Sequence, residues 1–406
     1  MKILLIHDLG TPTGGAELQM LSLRQGLRDR GHDARLFSSR AMPVADSQLQ
    51  SDYSCFGTSN TRLQVLSQTI NPAAYWELRR VLREFDPDVV HVRMFLWQLS
   101  PAILPLLQDR PCLYQTAVYK AICPLGTKQL PDGNPCQDPA GLDCLNNGCL
   151  TPQSWAVLML QRQLWQRWRS AFDLVVTLSH AMKDKLVAEG IAPIEVVHNG
   201  VPERPARAAL KQPPTVAYAG RLVAEKGVEV LLRAFAAVAV QVPEAKLIIA
   251  GQGTEAERLQ ALAIELKIAE QVSWLGHLSR QVMEQRFDAA WVQVVPSLWS
   301  EPFGNVTTEA MIRGTAVVAS AVGAQPEIVK HGETGYLVPP GDTESLATAL
   351  LRLLTEPQAC ERMGQAGRQR AMADFSEARR TENFLALYHN IQSKYQPQSQ
   401  PVLSQV

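Results

Sequence analysis

The chain has 406 residues, with 39 Lys plus Arg against 39 Asp plus Glu, so no overall field recruits nucleic acid or an acidic surface and any anion site has to be local. Only four consecutive apolar residues precede His7 and Asp8, too few for a signal-peptide core, and no run reaches the roughly 18 apolar residues of a membrane-spanning helix. A soluble, cytoplasmic protein of two domains is expected at this length. Seven cysteines, an odd number, argue against a disulfide framework.

Short β-branched runs alternate with longer helical patterns nearly from end to end, as in βαβ units around parallel sheets. Strands are predicted at 2–8, 33–39, 88–93, 112–117, 174–179 and 194–198, together one doubly wound α/β domain over 1–201. Gly14 and Gly15 follow the first strand and open the helical pattern AELQMLSLRQGL. A glycine turn there either lets backbone approach a ligand or simply makes a tight connection. Cys123, Cys136, Cys144 and Cys149 fall in a loop-like insert, with 12, 7 and 4 residues between them. The paired C-x-x-C spacing is absent, so unliganded loop thiols are expected, with a structural zinc or iron–sulfur site closed by the four thiolates as the alternative. The helical stretch 153–169 combines Trp155, Trp165 and Trp168 with Arg162, Arg167 and Arg169 and has no acid. It is expected to pack on its own domain, with peripheral membrane contact as the alternative.

Residues 202–214, PERPARAALKQPP, are proline-rich and aperiodic and read as an interdomain linker. The rhythm then restarts, with strands at 215–220, 245–251, 272–277, 291–296, 316–320 and 335–339 and helices such as 227–240 and 254–267 between them, a second domain over 215–375. A closing helix is predicted over 376–395 and a disordered tail over 396–406. Two Rossmann-like halves create a cleft, and ligands in open parallel sheets sit beyond the carboxyl ends of the strands.

The sharpest motifs follow strands of the second half. GRLVAEKG places Arg221 and Lys226 just past the strand at 215–220, a guanidinium and an ammonium suited to a phosphate or diphosphate, although solvated loop charges would look the same. The run PSLWSEPFGNVTTEAM puts Glu301 before a turn and Glu309 on a helix predicted from Asn305, as its N-cap, to Arg313. Helical rise separates the two carboxylates by on the order of 10 Å, with the open N–H groups of the helix start between them. In the blander reading Glu309 complements the helix terminus and Glu301 is loop surface. AGQGTEA, 250–256, satisfies a G-x-G-x-x-A dinucleotide fingerprint, which would suit a nicotinamide or flavin oxidoreductase. Against that, the next strand, VSWLGH, ends without the acid that would hold an adenosine ribose.

Over about residues 1–390 the chain resembles the retaining glycosyltransferases of family 4, of GT-B architecture with two facing Rossmann-like domains. The resemblance rests on PSLWSEPFGNVTTEAM (296–311) and GRLVAEKG (220–227), supported by GGAE, PDVVH, S-x-x-x-K at 179–183, HNGV, AGQG and HGETGYLVPPGD. It implies a nucleotide-diphosphate sugar donor and a glycan, lipid-linked or small-molecule acceptor, with no nucleic acid. Glu301 would contact the donor sugar, Glu309 the ribose hydroxyls, Arg221 and Lys226 the diphosphate, and amides around Gly304, Asn305, Val306 and Thr307 its oxygens. No catalytic metal or cofactor is implied, and Asp86-Pro87-Asp88 matches the family's PDVVH pattern as a structural feature. Gly14 and Gly15 would face donor or acceptor. One departure stands out. Many relatives carry His-Asp after the fourth-strand threonine, where this chain has Val118 and Tyr119, so the sugar contact is lost or supplied elsewhere. A catalytically silent sugar-nucleotide binder is the resulting alternative.

Overall fold

The computed structural model describes residues 1–42, 44 and 47–395; the expected tail at 396–406 lies outside the described residues. Two parallel sheets are formed. The first contains β1 (Lys2–Leu9), β2 (Asp33–Ser39), β3 (Tyr53–Cys55), β4 (Val89–Met94), β5 (Cys112–Gln115), β6 (Leu174–Thr177) and β7 (Ile194–Val196), in the order β3-β2-β1-β4-β5-β6-β7. The second contains β8 (Thr215–Ala219), β9 (Lys246–Ala250), β10 (Val272–Gly276), β11 (Val292–Val295), β12 (Ala316–Ser320) and β13 (Tyr336–Val338), in the order β10-β9-β8-β11-β12-β13. All twelve predicted strands exist, mostly one or two residues shorter. β3 was not anticipated, because three residues with a serine at their centre give no readable alternation.

Covering both faces of a parallel sheet with helices makes its strands apolar throughout. In β1, Leu4 and Ile6 enter one core with Phe95, Tyr114 and Trp165, while Ile3 and Leu5 enter the other with Leu23, Leu27, Phe384 and Tyr388. The last two belong to the closing helix Glu377–Ser393, which therefore lies against the N-terminal lobe although it follows the C-terminal one. The chain crosses between lobes twice at one place: Val201 N–H donates to Phe375 O at 2.7 Å, and Glu377 N–H donates to Val201 O at 3.2 Å. Gly200 is required there, since a Cβ would lie 2.7 Å from Glu377 Cα. The helix Pro152–Trp168 packs inward as expected, burying Trp165 among Phe95, Tyr114 and Phe172, and Trp155 Nε1 donates to Gly141 O at 2.8 Å. Among the described residues no helix is long and apolar enough to cross a membrane.

Candidate active site

β11 is central in its sheet, so the loop leaving its carboxyl end, Pro296–Gly304, opens toward the facing lobe. Gly304 has φ 119 and turns the chain into the helix Asn305–Ile312. Asn305 was expected to cap this helix; instead Gly304 holds the cap position without a side-chain bond, because only glycine takes that backbone turn without strain. Asn305 is thereby freed for another task. Its Oδ1 accepts from Asn199 Nδ2 of the other lobe at 3.0 Å. Gly15 stands beside it, where an added Cβ would lie 2.9 Å from Asn305 Nδ2.

The turn after β8 delivers Lys226. Gly227, at φ 66, presses so closely on Pro296 O that any Cβ would overlap it, which seats the turn Ala224–Lys226 directly on the β11 loop. Leu298 N–H donates to Glu225 O at 2.9 Å, a second tie. Lys226 Nζ consequently lies 2.8 Å from Glu301 Oε1 and 5.4 Å from the centre of the Trp299 ring. Ser297 Oγ donates to the same carboxylate oxygen. Glu301 is 7% exposed, so the pair is a largely desolvated ion pair beside a helix mouth. Arg221 is not brought to it: its side chain is 64% exposed and pairs with Glu225 at 3.1 Å, on the rim.

Glu309, one turn into the helix, faces a separate crevice lined by Arg204, Met283, Phe287, Gln293 and Arg313. Val306 and Thr307 support the helix start: Gln293 Nε2 donates to Val306 O at 2.9 Å, and the buried Thr307 Oγ1 donates to Gln325 Oε1 at 2.8 Å. The glycine fingerprint at 250–253 has a packing cause. A Cβ on Gly251 would overlap Gly220 O, one on Gly253 would overlap Leu222 O, and Leu222 N–H donates to Gln252 O at 2.9 Å. The following helix opens beside Glu255 and with Glu257 in its first turn, a poor seat for a pyrophosphate.

Residues 14–200 match the glycosyl transferase 4-like domain, and residues 188–370 match glycosyl transferases group 1. The chain belongs to the group 1 glycosyl transferases. It is 34% identical over 210 residues to glycogen synthase of Mycobacterium tuberculosis, covering 50% of each protein. With D-inositol 3-phosphate glycosyltransferase of Mycobacterium avium it shares 38% identity over 221 residues, 50% of this chain and 51% of that one. The chain thus spans about half the length of these curated relatives. Sucrose-phosphate synthase from Thermosynechococcus elongatus aligns over 97% of this chain and 100% of its own at TM-score 0.70 and 22% identity. HepE from Anabaena, solved in complex with UDP and glucose, aligns over 95% and 98% at TM-score 0.65 and 21% identity. These likenesses establish the GT-B fold.

In this glycosyl transferase the N-terminal face of the cleft is polar and tied together by hydrogen bonds. Gly14, in extended conformation, precedes the helix Gly15–Arg28, whose Glu17 carboxyl folds back on it and is raised by burial. Arg93, fully buried, donates to Gln115 Oε1 and to Asn199 Oδ1, both at 3.1 Å, so an unbroken chain runs from Arg93 through Asn199 to Asn305 across the lobes. Burial, then the nearby Arg380, pulls the guanidinium down to about 9, and burial with Arg93 pulls His7 to about 3. Of His7, Arg93, Gln115 and Asn199, only Asn199 lay in a motif that pointed to the site, as the second residue of HNGV.

Tyr119, next to Val118 at the departure from the family pattern, has a structural task. Its ring is buried, it stacks edge-on to Trp299 with centroids 6.5 Å apart, and its hydroxyl donates to Ser300 O at 3.1 Å. Trp299 Nε1 in turn donates to Thr127 O of the cysteine insert at 2.9 Å. The insert therefore braces the Glu301 loop. Its four cysteines are half-buried and unbonded. Burial raises the Cys144 and Cys149 thiols, and the neighbouring thiols raise them further. Yet Cys123 Sγ accepts from Lys128 N–H at 3.4 Å and Cys136 Sγ turns to Asp138 O at 3.7 Å. Among the described residues no three His, Cys, Asp or Glu side chains are placed to hold an ion, so this arrangement does not assemble the zinc or iron–sulfur site weighed as the alternative to loop thiols. The spacing that lacks C-x-x-C pairs never lets two thiols share one tight turn.

Proposed function

We propose that this chain transfers a sugar from a nucleotide-diphosphate sugar to an acceptor hydroxyl on a glycan, a lipid-linked glycan or a small molecule, with retention at the anomeric carbon and without a metal. The observation that carries the reading is the 2.8 Å contact of Lys226 Nζ with the buried Glu301, set beside the mouth of the helix Asn305–Ile312 and facing Asn199 of the other lobe. Lys226 and the amides at Gly304–Thr307 offset the charge of the departing diphosphate, which is the service a divalent cation would otherwise render. Glu301 orients the sugar and stabilises its positive charge as the C1–O bond to the diphosphate breaks. The acceptor oxygen attacks C1 from the leaving-group side, and its proton passes to a phosphate oxygen. The ribose contact that the family resemblance implies for Glu309 requires its carboxylate to turn out of the separate, water-sized crevice it lines with Arg204. UDP donors come first to test, since the similar HepE was solved with UDP and with UDP-glucose.

Purified protein is incubated with UDP, GDP and ADP sugars and a panel of acceptors, with and without EDTA. Release of nucleoside diphosphate together with an α-linked product from an α-linked donor, unchanged by EDTA, is expected. An inverted product or an EDTA-sensitive rate refutes the corresponding part. Val118 favours a second reading, donor binding without turnover, because it stands where the family resemblance puts a sugar-contacting histidine and has no polar group to offer, while Tyr119 beside it is committed to Ser300. Tight nucleotide binding with no transfer to any acceptor would select it.

A further inference from the structure

The C-terminal lobe also sends a carboxylate across the cleft. Glu327, on the short helix Gln325–Ile328, accepts the His180 N–H on Oε2 and the Ala181 N–H on Oε1, both at 2.9 Å. These are the first two residues of the helix His180–Ala188 in the N-terminal lobe, whose opening N–H groups have no partners within the helix. His198 Nε2 stands 3.4 Å from the same Oε2. Ser179, which caps the helix through Met182 N–H at 3.2 Å, donates its hydroxyl across the cleft to Pro302 O at 2.8 Å. One helix terminus of the first lobe is thus closed by its own serine and by the second lobe's acid.

On its other side the Glu327 segment touches the proposed catalytic loop. Ala324 N–H donates to Glu301 O at 3.2 Å. Gly323, at φ 61, lies so close that an added Cβ would sit 2.6 Å from both Glu301 N and Glu301 O. Gln325 Oε1 receives the Thr307 hydroxyl at 2.8 Å, and Arg370 holds the Glu327 and Ile328 carbonyls at 2.8 and 2.9 Å. A stretch of five residues therefore contacts the Glu301 main chain, the anion-facing helix and the opposite lobe at once.

We propose that Glu327 is a positioning residue, an interlobe latch that ties closure of the cleft to the placement of Glu301. Its catalytic consequence rests on the transfer reading above; the latch itself does not. A carboxylate on two helix-terminal amides is held by charge-assisted bonds and by the positive end of the helix dipole, and both are exchanged for water when the lobes part. Closure then favours the one arrangement in which Gly323 and Ala324 press on Glu301.

The test uses the full chain and compares wild type, Glu327→Gln, His180→Pro and the surface control Glu333→Gln. His180→Pro deletes one of the two donors from the other lobe, at a first helical position where proline is tolerated, so it serves even if Glu327→Gln fails to fold. Three quantities are read: amide exchange at Ala181, the radius of gyration by solution scattering, and kcat against KM for the donor sugar. Glu327→Gln is expected to speed Ala181 exchange about tenfold, to enlarge the ligand-free radius of gyration, and to lower kcat about tenfold with UDP affinity within about twofold of wild type. His180→Pro moves in the same direction by less, and Glu333→Gln matches wild type. Unchanged exchange and radius in Glu327→Gln overturn the latch, and faster exchange with an unchanged kcat overturns its coupling to Glu301. If wild type transfers no sugar, the functional reading fails while exchange and scattering still decide the latch.

Discussion

Lys226 and Glu301 should behave as one unit, and a double-mutant cycle measures it. The Lys226 side chain is 17% exposed and that of Glu301 9%, at a separation of 2.8 Å. Lys226→Ala leaves a buried carboxylate with Ser297 as its remaining polar partner, which costs about 3 kcal/mol, the lower end for a broken buried pair because some water reaches the site. Glu301→Gln is milder, about 1–2 kcal/mol, since the ammonium still lies over the Trp299 face and keeps a path to solvent. Removing both leaves no uncompensated charge, so the double variant should be more stable than the sum of the singles by about 1–3 kcal/mol. Urea unfolding followed by circular dichroism, without nucleotide, gives the four free energies. Turnover with the best donor gives a parallel cycle in rate, where each single change should remove about 10²–10⁴-fold and the pair little more than the worse single. Stability effects that add within about 0.5 kcal/mol would show that the two charges do not sense each other, and the proposed site would lose its centre.

Other outcomes follow from the same contacts. Gly227→Ala should destabilise by about 2 kcal/mol or more and cut donor binding, because the φ 66 backbone and the Pro296 carbonyl both reject a Cβ; thermal melting and UDP titration check it. Trp299→Phe removes the bond to Thr127 and should raise proteolysis within 123–149 while lowering kcat about three- to tenfold, and unaltered cleavage would detach the insert from the loop. Burial works against ionisation of Glu327, but the His198 bond and the two backbone N–H bonds outweigh it, so its carboxyl sits below the ordinary 4.5. Its contribution to stability is therefore fully present above pH 4.5 and lost as the pH falls through the lower folded value. The melting-temperature gap between wild type and Glu327→Gln should be constant at neutral pH and close in acid; a gap independent of pH down to 3 contradicts the assignment.

The sheets were legible because both are buried on two faces, so strands such as LIIAG and VVAS read as unbroken apolar runs. Lys226 and Glu301 were legible because each follows a strand by a few residues, and strand ends converge on one crevice. Arg221 carried an equally good local signal, yet its side chain turns to Glu225 four residues on, a choice of rotamer that no spacing encodes. Asn305 looked like a cap because Asn favours caps, but Gly304 just before it could make a turn that Asn makes poorly. Glu327, Ser179, Tyr119 and Trp299 act across lobes, between positions as many as 181 residues apart, and no local window holds both partners.

The double passage of the chain at Val201 and Phe375–Glu377 bears on how this protein can be dissected. A gene truncated in the linker would encode a first half stripped of Phe384, Tyr388 and Ile391, leaving a greasy trench along Leu23, Leu27 and Val89 exposed to solvent. The first half becomes a self-sufficient fragment only when the stretch Glu377–Ser393 is spliced back behind Val201, and the second is then an insertion that can be exchanged as a cassette between those two joints.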